Sequence, residues 1–221
     1  MGAVAVPPGG FRRIAVLRLS SLGDVVLTLP VVHALKRAWP EAHLTYWVKE
    51  EYHDVVRFDP AVDHVRLLDR DARRIEDLVS MSAEFEEVDL IVDLHGSARS
   101  RILTWRQKAP VLKARSDRLL RWRWVHARWT GPRPAAHALA RYAHALASIG
   151  VVAAGPPQLT AGAEAESWAQ TWLAEWTRTG PLIALAPGAR HWTKRWPEEH
   201  WLALDQPVSY THLTLPTILR V

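Results

Sequence analysis

Short apolar runs that are continuous rather than alternating recur along this chain: RIAVLRL (13–19), LTYWV (44–48), VRLL (65–68), DLIVDL (89–94) and PLIALAP (181–187). A strand that is apolar on both sides must be covered on both sides, the condition of a parallel sheet flanked by helices. Helical periodicity fills the gaps. Ile75, Leu78, Val79, Ser82 and Phe85 fall on one helix face, as do Leu139, Tyr142, Leu146 and Ile149, and as do Trp168, Trp172 and Trp176. This alternation predicts an α/β fold built on a Rossmann-like, doubly wound parallel sheet.

The composition shifts to Gly, Pro and Ala at GVVAAGPPQLTAGAEAE (150–166), after which the strand and helix pattern restarts. Residues 1–150 are expected to form one domain, and residues 151–206 a linker and the start of a second. The stretch VSYTHLTLPT (208–217) resembles the conceptual translation of a sequencing adaptor. Residues 207–221 are therefore expected to be a non-native tail, with natural sequence ending near Gln206, and the chain an N-terminal fragment of a longer protein. No side chain of that tail enters the functional reading.

A formal net charge of +5 suits an anionic partner: a nucleic acid, a nucleotide or a phosphorylated lipid surface. The absence of cysteine rules out disulfides and thiolate metal sites and is compatible with a reducing cytoplasm. The opening MGAVAVPPGGFRR does not join a basic start to a sustained apolar core, and no apolar run approaches the ~18 residues of a membrane span. A soluble, cytoplasmic protein is expected.

Ligands of open α/β sheets gather at the carboxyl ends of the strands, and the first strand-to-helix turn here holds Ser20, Ser21, Gly23 and Asp24. Neither G-x-G-x-x-G nor G-x-x-x-x-G-K-[ST] is present, and one glycine does not let a turn wrap a pyrophosphate closely. A carboxylate here has two readings. Asp24 or Ser21 caps the following helix, where free backbone N–H groups and the positive end of the dipole favour an anion. The second, compatible with the first, is a general base: a helix N-terminus keeps Asp24 ionised near neutral pH, ready to take a proton from an attacking hydroxyl.

In APGARHWTKRWPEEHW, Pro197 with Glu198 and Glu199 reads as the first turn of a helix. Pro187, Gly188 and Ala189 form a tight loop whose N–H groups suit a phosphate, and Lys194 adds a mobile point charge. The plainer reading of Lys194 and Arg195 is a solvated loop pair. For Trp192, Trp196 and Trp201, packing is expected ahead of sugar stacking. The segment KARSDRLLRWRWVHARWTGPR (113–133) interleaves arginine with tryptophan, as single-stranded nucleic acid or an anionic membrane surface would favour. DRD at 69–71 mimics a metal-binding D-x-D, but with Arg73 and Arg74 after it reads as a self-neutralising turn. The eleven histidines lack H-E-x-x-H spacing, and no metal or other cofactor is expected.

RIAVLRLSSLGDVVLTLPVVHALKRAWPEAHLTYWV, DLIVDLHGSARS, HALARYAHALASIGV and IALAPGARHWTKRWPEEHW resemble, in order, the motifs of glycosyltransferase family nine, the bacterial lipopolysaccharide heptosyltransferases. The resemblance spans nearly all of residues 11–205. It implies a two-domain fold of the B type, with a first domain for the lipid-linked acceptor and a second for the nucleotide sugar. It also implies an inverting transfer of heptose from ADP-heptose to the lipopolysaccharide inner core, without a metal. Asp24 matches the family's catalytic aspartate, and Lys194, with Gly188 and Ala189, its donor diphosphate site. Ser20, Ser21, Gly23, His95, Arg99, Arg101, Arg115 and Arg118 become candidates for the acceptor side, arginine being suited to bidentate phosphate contacts. The implied partners are a lipid A-linked core oligosaccharide, a nucleotide sugar and, peripherally, the inner membrane surface, rather than nucleic acid. Since the family's later nucleotide-binding motif would lie beyond Gln206, the chain as it stands is expected to be inactive, with a second domain unable to bury its apolar face. The alternatives are a non-catalytic binder of nucleotide or anionic glycan, and a nucleic-acid-binding protein using the Arg/Trp segment.

Overall fold

The computed structural model describes residues 4–68, 75–85, 87–114, 122–123, 126, 137–174, 186–189 and 191–205. The chain divides into two units, Met1–Ala169 and Gln170–Val221. The expected boundary after residue 150 lies within the first.

In the first unit, strands β1 (Arg13–Leu17), β2 (His43–Lys49), β3 (His64–Leu68), β4 (Leu90–Asp93) and β5 (Val111–Lys113) form one sheet in the order β3-β2-β1-β4-β5. Every pairing is parallel, with Ile14 opposite Leu44 on one side and opposite Leu90 on the other. The chain runs outward from β1 through β2 to β3, then returns to β1's other side with β4. The direction of winding therefore reverses between β1 and β4, the position where a crevice opens beyond the strand ends.

The continuous apolar runs divide by alternation into two cores. Ile14, Val16, Leu44, Tyr46, Val48, Leu90 and Val92 face one way, against helix α2 (Leu29–Ala38). Ala15, Leu17, Trp47 and Ile91 face the other, against Leu78 of helix α4 (Ile75–Ser82), Phe85 and Leu103 of helix α5 (Ala98–Thr104). Between these lie the short helices α1 (Leu22–Val26) and α3 (His53–Val56). Buried polar groups in the first core are paired. The Thr28 hydroxyl donates to the Val25 carbonyl and shares a hydrogen bond with Tyr46, and Asp59 accepts from Ala61 N–H at 2.9 Å beside His33.

Several expectations need correction. The regular strand at 13–19 ends at Leu17, but Arg18 N–H still donates to the Trp47 carbonyl at 3.1 Å and the Leu19 carbonyl accepts from Lys49 N–H at 3.3 Å before the turn into α1. β5 was not expected: three residues after Pro110 are too few to carry a periodic signal. Of the apolar face expected around α4, Leu78 and Phe85 are buried but Ile75 and Val79 are exposed. The helix stops at Ser82 and a 3-10 turn, Ala83–Phe85, swings Phe85 onto Trp47, with the rings stacked at 4.5 Å. The face at 139–149 holds across helix α6 (Ala138–Ala143) and a 3-10 continuation, His144–Ile149, closed by Gly150 in the left-handed region. Helix α7 (Ala163–Ala174) exposes Trp168 and Trp172, while Trp176 and most of the expected strand at 181–187 lie outside the described residues.

In the second unit, a 3-10 turn (Trp192–Lys194) precedes helix α8 (Glu198–Asp205), which starts after Pro197 as the sequence indicates. Trp192 and Trp196 are exposed rather than packed. Trp196 finds local partners instead, stacking on His200 at 5.4 Å and meeting Trp201 edge-on at 5.0 Å. The expected tail, 207–221, lies outside the described residues, as do 69–71, Arg73 and Arg74. No helix among the described residues is long and apolar enough to cross a membrane.

Gly10 is demanded by its surroundings. Gly10 closes the turn into β1 at φ +82, and a Cβ there would lie 2.2 Å from Cδ1 of Trp39, whose ring meets Phe11 edge-on at 5.0 Å. Gly10→Ala is expected to cost more than about 1 kcal/mol, from both the positive φ and the displaced indole. Gly23, with open space around its Cα, should accept alanine with no loss of stability. Urea unfolding of the two variants checks the contrast.

Candidate active site

Arg18 is the first residue beyond β1, and its environment organises the turn that follows. A charge at the end of an otherwise buried run needs partners. Nη1 donates to the Leu94 carbonyl at 2.7 Å, just beyond β4, and Nη2 lies 2.6 Å from Oδ2 of Asp24. The guanidinium thus spans the reversal point of the sheet and delivers a positive charge to the carboxylate on α1.

Asp24 is held by two further groups. Ser21 Oγ donates to Oδ2 at 3.0 Å, and the Tyr142 hydroxyl, from α6, donates to Oδ1 at 2.8 Å. Ser21 occupies the N-cap position of α1 yet makes no side-chain cap, and the hydrogen bonds found at Asp24 come from side chains. Neither side chain makes a cap hydrogen bond, although Asp24 does lie in the first turn of α1, where the helix dipole favours an anion.

Burial alone would push the Asp24 carboxyl up. The hydrogen bond from Tyr142, the charge of Arg18, and the bonds from Ser21 and Arg18 outweigh it, leaving the group below the usual aspartate range. Tyr142 moves the other way, pushed up to about 12 by burial and by its bond to Asp24. At neutral pH the pair is a carboxylate and a phenol. The Arg18 guanidinium also sits 5.3 Å from the centre of the Tyr142 ring, so the three side chains form one packed group.

The neighbouring loop is fixed by Asp93, at the end of β4 and fully buried. Its carboxylate accepts from His95 N–H at 3.0 Å, Gly96 N–H at 2.9 Å and Ser100 Oγ at 2.9 Å. Ser97 and Ser100 then close a reciprocal cap on α5. His95, on this loop, interacts electrostatically with Arg18 and Asp24. Burial lowers its pKa, Arg18 and Lys49 lower it further, and Asp93 and Asp24 only partly oppose them, so the ring is neutral near pH 7.

The turn after β1 therefore unites Ser20, Ser21, Gly23 and Asp24, and brings His95 within electrostatic reach. Arg99 and Arg101 are exposed on α5 with no place in this group. Arg115 and Arg118, with most of the Arg/Trp segment, lie outside the described residues. In the second unit, Lys194 is exposed at the end of its 3-10 turn and Gly188 is open. Arg195 is exposed as expected, and also donates from Nε to the Ala189 carbonyl at 2.8 Å, closing that loop on itself. Sequence reasoning missed Arg18, Asp93 and the hydroxyl of Tyr142. A charge inside the run RIAVLRL was the available signal for Arg18, but Tyr142, 118 residues from Asp24, carried only a core signal.

The model of glycosyltransferase family 9 (heptosyltransferase) matches residues 81–213. The chain is 26% identical over 94 residues to lipopolysaccharide heptosyltransferase 1 of Campylobacter coli, an alignment covering 42% of this chain and 28% of that protein. Among solved structures, the glycosyl transferase family 9 protein of Veillonella parvula DSM 2008 is similar with a TM-score of 0.71 and 26% identity, over 90% of this chain and 60% of that one. The E. coli heptosyltransferase WaaC, solved with ADP and with ADP-2-deoxy-2-fluoro heptose, shares the fold at a TM-score of 0.57. Its identity is 23% and 22% in the two structures, which cover 89% of this chain and 63% and 65% of that one. The chain thus spans under two thirds of these relatives.

Asp24 and Asp63 share a pH signature. Burial pushes Asp63 up, but Leu44 N–H at 2.7 Å and Lys36 at 2.8 Å hold it below the ordinary range. For depressed carboxyls the stabilisation is complete above the unfolded value of about 3.9 and is lost as pH falls through the folded values. Replacing both by Asn should lower stability at pH 7 and shrink the difference between pH 7 and pH 3. Urea midpoints across that range test this, and an unchanged acid slope would contradict it.

Proposed function

We propose that this chain, which belongs to glycosyltransferase family 9 (heptosyltransferase), carries the acceptor-side catalytic centre of an inverting sugar transferase, with Asp24 as its general base. The observation that carries this reading is a carboxylate at the reversal point of a parallel sheet, paired with Arg18 and hydrogen-bonded by Ser21 and Tyr142, contacts that favour its charged form. In the reaction, Asp24 accepts the proton of an acceptor hydroxyl as that oxygen bonds to the anomeric carbon. The bond from that carbon to the nucleoside diphosphate breaks on the opposite face, and the diphosphate leaves with the electron pair. One displacement inverts the centre, with no covalent enzyme intermediate and no metal ion assigned a role.

The donor we assign is ADP-heptose, in keeping with the ADP and ADP-2-deoxy-2-fluoro heptose named with the E. coli relative. Lys194 and the N–H groups of Gly188 and Ala189 supply positive potential to the leaving diphosphate. The acceptor we assign is the lipid A-linked core oligosaccharide of the lipopolysaccharide inner core, met from the cytoplasm at the inner membrane surface. Ser20, Ser21, Gly23 and His95 line its approach, with Arg99, Arg101, Arg115 and Arg118 as candidate phosphate contacts. The open space at Gly23 suits close approach of the acceptor to the backbone.

The test uses the full-length product of the gene with ADP-heptose and a lipid A-linked acceptor. Asp24→Ala should lower kcat by about 100-fold to 10,000-fold, the usual contribution of a positioned base. Wild-type turnover in that variant would sink the assignment. Gly23→Ala, harmless to the fold, should raise the acceptor KM more than it lowers kcat.

A further inference from the structure

The hydrogen bonds at Asp24 are unevenly shared between its two oxygens. Oδ2 faces Arg18 at 2.6 Å and Ser21 at 3.0 Å, whereas Oδ1 receives Tyr142 alone at 2.8 Å. A carboxylate offers about four lone-pair directions, two on each oxygen. Among the described residues three are occupied, and the open one is on Oδ1. Its direction is set by Tyr142, because rotation of the carboxyl would break that bond while straining the ion pair with Arg18.

Tyr142 is suited to hold such a bond. Its residue is 4% exposed, its ring belongs to the first core and lies 5.3 Å from the Arg18 guanidinium, and α6 lies against α2. The hydroxyl therefore has little freedom to follow a carboxylate that moves. Ser21, by contrast, is exposed on the turn.

We infer that Oδ1 of Asp24 is the atom that receives the acceptor's proton, and that Tyr142 is a positioning residue which fixes the direction of its open lone pair. This rests on Asp24 being the base, as proposed above. The step balances simply: the acceptor O–H bond breaks, its proton joins Oδ1, its electron pair forms the new bond to the anomeric carbon, and Tyr142 keeps its own proton throughout.

Tyr142→Phe separates position from basicity. The ring and its contact with Arg18 stay, and one donor to the carboxylate goes. A carboxylate that loses a donor becomes a stronger base, which by itself would speed proton transfer. Loss of position slows it. In the full-length protein, Tyr142→Phe is expected to lower kcat about 10-fold or more with the acceptor KM changed less than about 2-fold, while the acid limb of the kcat profile moves to higher pH. Carbon-13 NMR titration of the Asp24 carboxyl, assigned with Asp24→Asn, should show the same upward shift. Should the phenylalanine variant fail to fold, 3-fluorotyrosine incorporated at Tyr142 keeps the hydroxyl as a stronger donor. It should leave kcat within about 2-fold and move the Asp24 titration downward.

The outcomes separate the two claims. Asp24→Asn with wild-type turnover overturns the functional reading. An inactive Asp24→Asn beside Tyr142→Phe with unchanged kcat overturns the positioning role alone, as does an Asp24 titration that neither substitution at 142 moves.

Discussion

Everything at the candidate site depends on the Arg18 guanidinium. The winding of the parallel sheet reverses between β1 and β4, whose ends stay paired through Leu94 N–H to the Leu17 carbonyl at 3.0 Å, and Arg18 reaches across them to the Leu94 carbonyl. With its second nitrogen it holds Asp24, so one side chain joins the sheet's architecture to its chemistry. The ion pair is only partly exposed and each partner makes further bonds, which offset part of the cost of desolvating it.

Asp93 is the counterpart on the adjacent strand. By accepting from two backbone N–H groups and Ser100, it shapes the loop that carries His95 without itself facing solvent. Two aspartates at neighbouring strand ends thus have different duties set by exposure. Each receives three donors among the described residues, so what separates them is access: Asp93 is fully buried, whereas the Asp24 side chain is about one-third exposed.

Much of the sheet was legible because continuous apolar runs admit few explanations. Residues 13–17, 43–49, 64–68 and 90–93 pair as parallel strands close to where those runs lie. β5 was invisible because three residues establish no period, and α4 misled because a 3-10 turn after Ser82 changes the angle at which Phe85 emerges. At the site, Asp24 was legible from its place after the first strand and from a family resemblance. Its partners were not equally so. Arg18 is a local anomaly in an apolar run, whereas Tyr142 meets Asp24 only once α6 has docked, and no local pattern encodes a contact 118 residues long.

That long contact has a consequence for how the centre assembles. Asp24 is gripped by side chains from the end of β1, from its own turn and from α6. A nascent or partly melted chain in which the central strands have formed but α6 is undocked would have the carboxylate present yet unaimed. The proposed chemistry would therefore need α6 in place as well as the sheet, and undocking of that helix alone would leave the carboxylate without the bond that aims it.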